Sequence, residues 1–196
     1  MIGVFLDTET SGLDPYIHTV IELAFVIVDL HSGKELASWE TPIKVSQADW
    51  DKCDKKSLLI NGMTREALSG GLDFEEARAR IEEIFLQHDI IQGCAVFICQ
   101  NPSFDRPFFS KIIPTYRQEE LHFPYHWFDL ASMYWALVLS KRQNAPDMTY
   151  SFSKDTIASD CGLPPEERPH RAMNGVRHLL LCYEKLVGFG LAKNRN

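Results

Sequence analysis

No apolar stretch of this 196-residue chain is long enough to cross a bilayer. The first residues carry neither the positive region nor the small-residue cleavage site of a signal peptide. A C-x-x-C pair is absent too. The five cysteines, Cys53, Cys94, Cys99, Cys161 and Cys182, form an odd set, which fits reduced thiols in the cytoplasm better than a disulfide framework. Basic residues are in short supply: 20 Lys and Arg stand against 27 Asp and Glu, a net charge of -7. Proteins that grip long duplex nucleic acid through phosphates usually carry a basic face, so this balance argues against strong non-specific duplex binding. It permits a small site whose positive charge arrives as bound metal and which takes only a short single-stranded end. Internal repeats, low-complexity segments and linkers are missing as well. With 45% of its residues apolar the chain can form one well-packed core, and 1–196 is read as a single domain.

Residues 2–6 (I-G-V-F-L) read as a buried strand, and residues 20–30, rich in β-branched and aromatic side chains, as a second. His31-Ser32-Gly33-Lys34 supplies turn residues, after which 35–45 pairs back as a third strand of an antiparallel meander. Short helical pieces are expected between 55 and 68, with a turn at Asn61-Gly62. Asp73-Phe74-Glu75-Glu76 has the form of a capping box opening a helix to about Gln87, with Phe74, Ala77, Ile81, Ile84 and Phe85 as its apolar stripe. Residues 95–99 (A-V-F-I-C) suit a central strand covered on both faces. Helices are expected over 104–113, 130–140, 156–161 and 171–187, with a loop at 144–150. Strands first, then strands alternating with helices, make an α/β arrangement with a mixed sheet.

The first strand runs into Asp7-Thr8-Glu9. Side chains at i and i+2 of a strand share a face, so two carboxylates emerge side by side at its end. Like charges that close repel, and a hard divalent cation would reward the arrangement. A solvated strand end is the other reading of the pair taken alone. Asp105 follows directly on the apolar strand 95–99, at the start of a helix. A carboxylate there serves the helix macrodipole, but ligand sites in α/β sheets also gather at strand ends. His170, just before the last helix and after an approach that Pro169 holds extended, reads either as an ordinary surface or core histidine or as a general base near neutral pH.

Asp7-Thr8-Glu9-Thr10-Ser11-Gly12-Leu13, then Asn101-Pro102-Ser103-Phe104-Asp105, then Pro169-His170-Arg171-Ala172 resemble, in order and spacing, the three motifs of the DEDDh (DnaQ-like) 3′-5′ exonuclease superfamily. Ile60-Asn61-Gly62-Met63-Thr64 is similar to a segment between the first two motifs, and Trp127-Phe128-Asp129-Leu130 to the strand-to-helix step before the third. The resemblance covers nearly the whole chain. It implies a ribonuclease-H-like mixed sheet, with an antiparallel meander and parallel strands, flanked by helices. It implies hydrolysis of phosphodiester bonds from the 3′ end of single-stranded DNA or RNA with two divalent cations, Mg²⁺ or Mn²⁺. Carried over, Asp7, Glu9 and Asp105 are the metal ligands and His170 takes the proton of the attacking water. Thr10, Leu13, Asn101, Phe104 and His170 are the candidate substrate contacts, Leu13 as an apolar wedge against the terminal base. Related exoribonucleases are often dimers, so a homodimer is compatible with this reading.

One departure is conspicuous. The fourth metal-binding aspartate of that pattern falls five residues after the histidine, where this chain has Gly175, and no Asp or Glu occurs between His170 and Glu184. Asn174 lies about 100° away around a helix and is a poorer ligand for a hard cation. Three carboxylates for two ions imply one weakened site. The chain is then an inactivated variant, a weakly active natural member, or a silent module that binds nucleic-acid ends without cutting. Nothing in the sequence separates DNA from RNA as substrate.

Overall fold

The computed structural model describes residues 1–141 and 151–190; the loop expected at 144–150 lies outside them. Five strands, β1 (Ile2–Thr10), β2 (Val20–Asp29), β3 (Glu35–Pro42), β4 (Ala95–Cys99) and β5 (Trp127–Asp129), form one sheet in the order β3-β2-β1-β4-β5. β1, β2 and β3 are the antiparallel meander, while β4 runs parallel to β1 and β5 parallel to β4. The helices are α1 (Gln47–Trp50), α2 (Lys55–Asn61), α3 (Arg65–Ser69), α4 (Phe74–Gln87), α5 (Pro102–Ile112), α6 (Thr115–Glu120), α7 (Leu130–Lys141), α8 (Lys154–Asp160) and α9 (Ala172–Leu186).

Strand alternation sorts the core into two layers. Val4 and Leu6 of β1 pack with Ile81 and Phe85 of α4 and with Phe108 and Phe109 of α5. Phe5, between them, faces the other way, toward Leu130 of α7, Ile157 of α8 and Val176 and Leu179 of α9. Phe85 anchors the first layer, with ring centroids 5.1 Å from Phe25, 6.0 Å from Phe97 and 5.2 Å from Phe123. The apolar segment from Phe123 to Trp135 divides: Phe123, Leu130 and Tyr134 are buried, whereas Tyr125, Phe128 and Trp135 are exposed.

The expected capping box is present. The Asp73 carboxylate accepts the Glu76 N–H at 2.9 Å, and the Glu76 carboxylate accepts the Asp73 N–H at 2.9 Å. Gly62 closes α2 in the left-handed region (φ 66°), where a glycine costs least, and donates its N–H to the Leu58 carbonyl. Two expectations need correction. β1 continues to Thr10, because β2 keeps pairing with it past Leu6, so Asp7 and Glu9 lie within the strand rather than beyond its end. β3 stops at Pro42, short of residue 45: Ile43 still donates its N–H to the Ile21 carbonyl, but from there the chain pairs with Leu72, with Lys44 N–H on the Leu72 carbonyl.

Candidate active site

β4 stays in register with β1 only as far as Phe5, opposite Ile98; beyond that point β1 has an open edge. Asp7 and Glu9 stand on this stretch and share the face of Phe5, toward α7, α8 and α9. α5 starts three residues after β4 ends and brings Asp105 to the same edge from the other layer. There the buried Asp105 carboxylate accepts the Thr8 N–H at 3.1 Å and the Thr8 hydroxyl at 2.9 Å. Burial, and after it the charge of Asp7, pushes Asp105 up to about 8. Glu9 is raised to about 8 by burial and then by Asp7 and Glu22. Asp7 is raised by burial too, with Lys154 pulling against that shift.

α9 is fixed across this stretch by a residue that the sequence did not single out. Glu22, 1% exposed on β2 directly opposite Glu9, binds the Arg171 guanidinium, with Nε at 3.0 and 3.1 Å from its two oxygens. It also accepts the Ala172 N–H at 2.8 Å, one of the donors that the start of α9 leaves without a helical partner. The end of α2 adds a second tie. Asn61, buried, donates to the Thr10 carbonyl at 3.2 Å, and the neighbouring Ile60 carbonyl accepts the His170 N–H at 3.2 Å. The turn read at Asn61-Gly62 thus clamps the first motif to the third.

The His170 ring is half-buried, its Nδ1 3.2 Å from Glu166 Oε1. The other Glu166 oxygen lies 2.9 Å from the Lys154 ammonium, which is itself 3.5 Å from Asp7 Oδ1. Burial presses the Lys154 ammonium toward neutrality, but Asp7, Glu166 and Asp105 together outweigh it and hold the group charged. A chain of polar contacts therefore runs Asp7–Lys154–Glu166–His170, with the ammonium between the two carboxylates. Neither Lys154 nor Glu166 had a signal in the sequence: a lone Lys opening a short helix and a Glu in a Pro-rich loop read as solvated surface.

The candidate substrate contacts lie differently from one another. Leu13 projects from the loop after β1, 75% exposed, with Tyr16 and Ile17 exposed on the same loop. Phe104 is half-buried against Phe108, its ring centroid 5.0 Å away. Asn101 is exposed before α5 and accepts the Ser103 hydroxyl. Thr10 is buried and donates its hydroxyl to the Gly12 carbonyl at 2.8 Å, so that side chain holds the turn rather than facing a ligand. Asn174 reaches away from the centre, toward Glu167.

The donor set has the chemistry for a hard cation on one side only. Asp105 is buried and Asp7 and Glu9 are half-buried, and the charge of Asp7 bears on both of the others, a repulsion that an ion would relieve. Yet among the described residues no group of three or more His, Cys, Asp or Glu is gathered closely enough to hold an ion as it stands. The reason is local: Asp105 is turned to Thr8 and Asp7 is paired with Lys154. On the α9 side no carboxylate faces Asp7, because residue 175 is a glycine. A Cβ placed on Gly175 would lie 2.1 Å from Asp7 Oδ2 and 3.0 Å from Lys154 Nζ, so α9 touches these groups with bare backbone.

The sequence model of the RNase T exonuclease family matches residues 4–181. The chain belongs to this family. RNase T exonucleases generally use divalent metal ions, which fits the acidic strand edge. Among relatives, the PolC-type DNA polymerase III of Thermotoga maritima is 28% identical over 174 residues, covering 89% of this chain and 11% of the polymerase. This chain therefore spans about a tenth of that relative's length. The oligoribonuclease of Photobacterium profundum is 27% identical over 156 residues, 77% of this chain and 81% of the relative. E. coli exonuclease I, solved in complex with an oligonucleotide, superposes with a TM-score of 0.74 at 19% identity, over 98% of this chain and 42% of that one. The sheet order and flanking helices are those of the ribonuclease-H-like exonuclease fold.

Proposed function

We propose that this chain is a single-domain, metal-dependent 3′-to-5′ exonuclease that shortens single-stranded DNA or RNA ends or short oligonucleotides. The observation that carries the reading is the crowding of Asp7, Glu9 and Asp105 at one buried, open strand edge, with His170 linked to Asp7 through Lys154 and Glu166. The oligoribonuclease relative and the oligonucleotide complex of exonuclease I support the choice of short single strands. So does the acidic balance of the chain.

Asp7, Glu9 and Asp105 would hold a divalent ion, Mg²⁺ or Mn²⁺. When bound, such an ion acidifies a coordinated water and neutralises charge on the phosphodiester. The remaining chemistry belongs to the side chains. Glu166 accepts from Lys154 on one oxygen and offers the other to the His170 ring. With Nδ1–H donated to that carboxylate, Nε2 keeps its lone pair and can take the proton of the attacking water. Exposed Leu13 packs on the terminal base, and Phe104 backs it from the start of α5.

A 5′-labelled single-stranded oligonucleotide incubated with the protein and Mg²⁺ or Mn²⁺ should give a ladder shortening from its 3′ end. Asp7→Asn should abolish the ladder, and His170→Ala should slow it at least about 100-fold. A second reading, a silent end-binding module, is favoured by Gly175 alone. Oligonucleotide binding that needs no divalent ion, with no ladder under any metal condition, would replace the enzyme reading with that one.

A further inference from the structure

We propose that the Lys154 ammonium is a built-in cation of this centre, occupying the place of one divalent ion, so that the chain binds one ion rather than two. The proposal rests on the exonuclease reading for the remaining ion's use, but the ion count is a separate matter from turnover. Three observations converge. Lys154 is 14% exposed, and its Nζ lies between Asp7 and the 2%-exposed Glu166. A Cβ at residue 175 would meet Asp7 Oδ2 at 2.1 Å and Lys154 Nζ at 3.0 Å, so a side chain there and the Asp7–Lys154 pair compete for one volume. Gly175 is buried in α9, where the absence of a side chain leaves room for the Asp7 carboxylate and, beside it, the Lys154 ammonium.

The placement is also braced by the backbone. Ser153 caps α8 by accepting the Thr156 N–H, and Asp155 accepts the Glu166 N–H at 3.0 Å. Lys154 and Glu166 are thereby tied into one unit that arrives at Asp7 together. A divalent ion needs oxygen ligands at about 2.0–2.6 Å, and an ammonium already on Asp7 repels it from that side of the carboxylate. Glu9 and Asp105 remain as the further oxygen donors for the one ion. Glu166 thus has two neighbours to serve, the ammonium and the His170 ring, and is a positioning residue for both.

Titrating the full chain with Mn²⁺ alone, and counting bound ions by electron paramagnetic resonance of the free metal, tests this directly. The native chain should bind one ion, and Asp105→Asn should lose it. The double variant Lys154→Met with Gly175→Asp, folded by circular dichroism, should bind two, because a carboxylate then occupies the vacated volume. Two ions on the native chain, no ion on it, or one ion on the folded double variant overturns the proposal. Should the double variant fail to fold, the native count decides alone, with one ion supporting the proposal and none or two rejecting it. A chain that binds one ion yet leaves oligonucleotides intact would lose the exonuclease reading and keep this one.

Discussion

Glu9 and Asp105 illustrate how far one side chain departs from its ordinary chemistry when it is buried beside its like. Both are held near 8, against ordinary values of 4.5 and 3.8. Between those limits the folded chain retains protons that the unfolded chain has released. Stability must therefore fall as pH rises through that window. The melting temperature of metal-free protein should drop by several degrees from about pH 5 to about pH 8, and Glu9→Gln should flatten the profile. Added Mg²⁺ should restore stability at the upper end, since an ion bound only by the folded state stabilises it. A flat profile in the native chain would mean that these acids are not crowded. At this scale the sequence was readable wherever a motif fixed the residue. Asp7 and Glu9 came from one short pattern and Asp105 from a second, and they meet at one strand edge. Lys154 and Glu166 were invisible, because nothing local distinguishes a lysine bound to a buried carboxylate from one in water.

Single elements carry the next level of organisation. α9 presents Gly175 to Asp7 and begins one residue after Arg171, and its start is fixed by Glu22 of β2, on the sheet face that α9 covers. Removing that carboxylate leaves Ala172 N–H and the guanidinium without their acceptor. Glu22→Ala should cost about 2 kcal/mol, in the range of hydrogen bonds to charged groups. Arg171→Gln, whose side chain is 45% exposed, should cost about 1 kcal/mol or less. Urea midpoints of the two variants check the order, and a smaller loss for Glu22→Ala would remove the docking role given to it. The same contrast explains what could be read of the elements. α4 was legible from its capping box and apolar stripe because both signals are local. α1 and α6, at 4 and 6 residues, are too short for any periodicity to register. β1 was read too short, because its last four residues are polar or charged and are held in the strand by β2 and not by their own preference.

At the scale of the molecule, the site lies where a parallel strand ends and its neighbour continues, the position at which α/β sheets collect ligands. The alternation of strands and helices announced the layers, whereas the order of strands depends on contacts far apart in sequence and came into view only with the structure. The whole-chain charge then sets how substrate is held. A net charge of -7 offers no broad electrostatic grip, so under the proposed function binding would rest on the terminal nucleotide, packed against Leu13 and Phe104, and a small number of phosphates. Each phosphate neutralised on a single strand contributes about -0.7 to the slope of log K against log salt. Two phosphates predict a slope near -1.4, whereas a channel gripping six would give about -4. Fluorescence anisotropy of a labelled single-stranded oligonucleotide with the Asp7→Asn chain, across a salt series, measures that slope without cleavage. A slope near the steeper value, or equal affinity for blunt duplex, would show a long basic track and would overturn the short-end mode of binding.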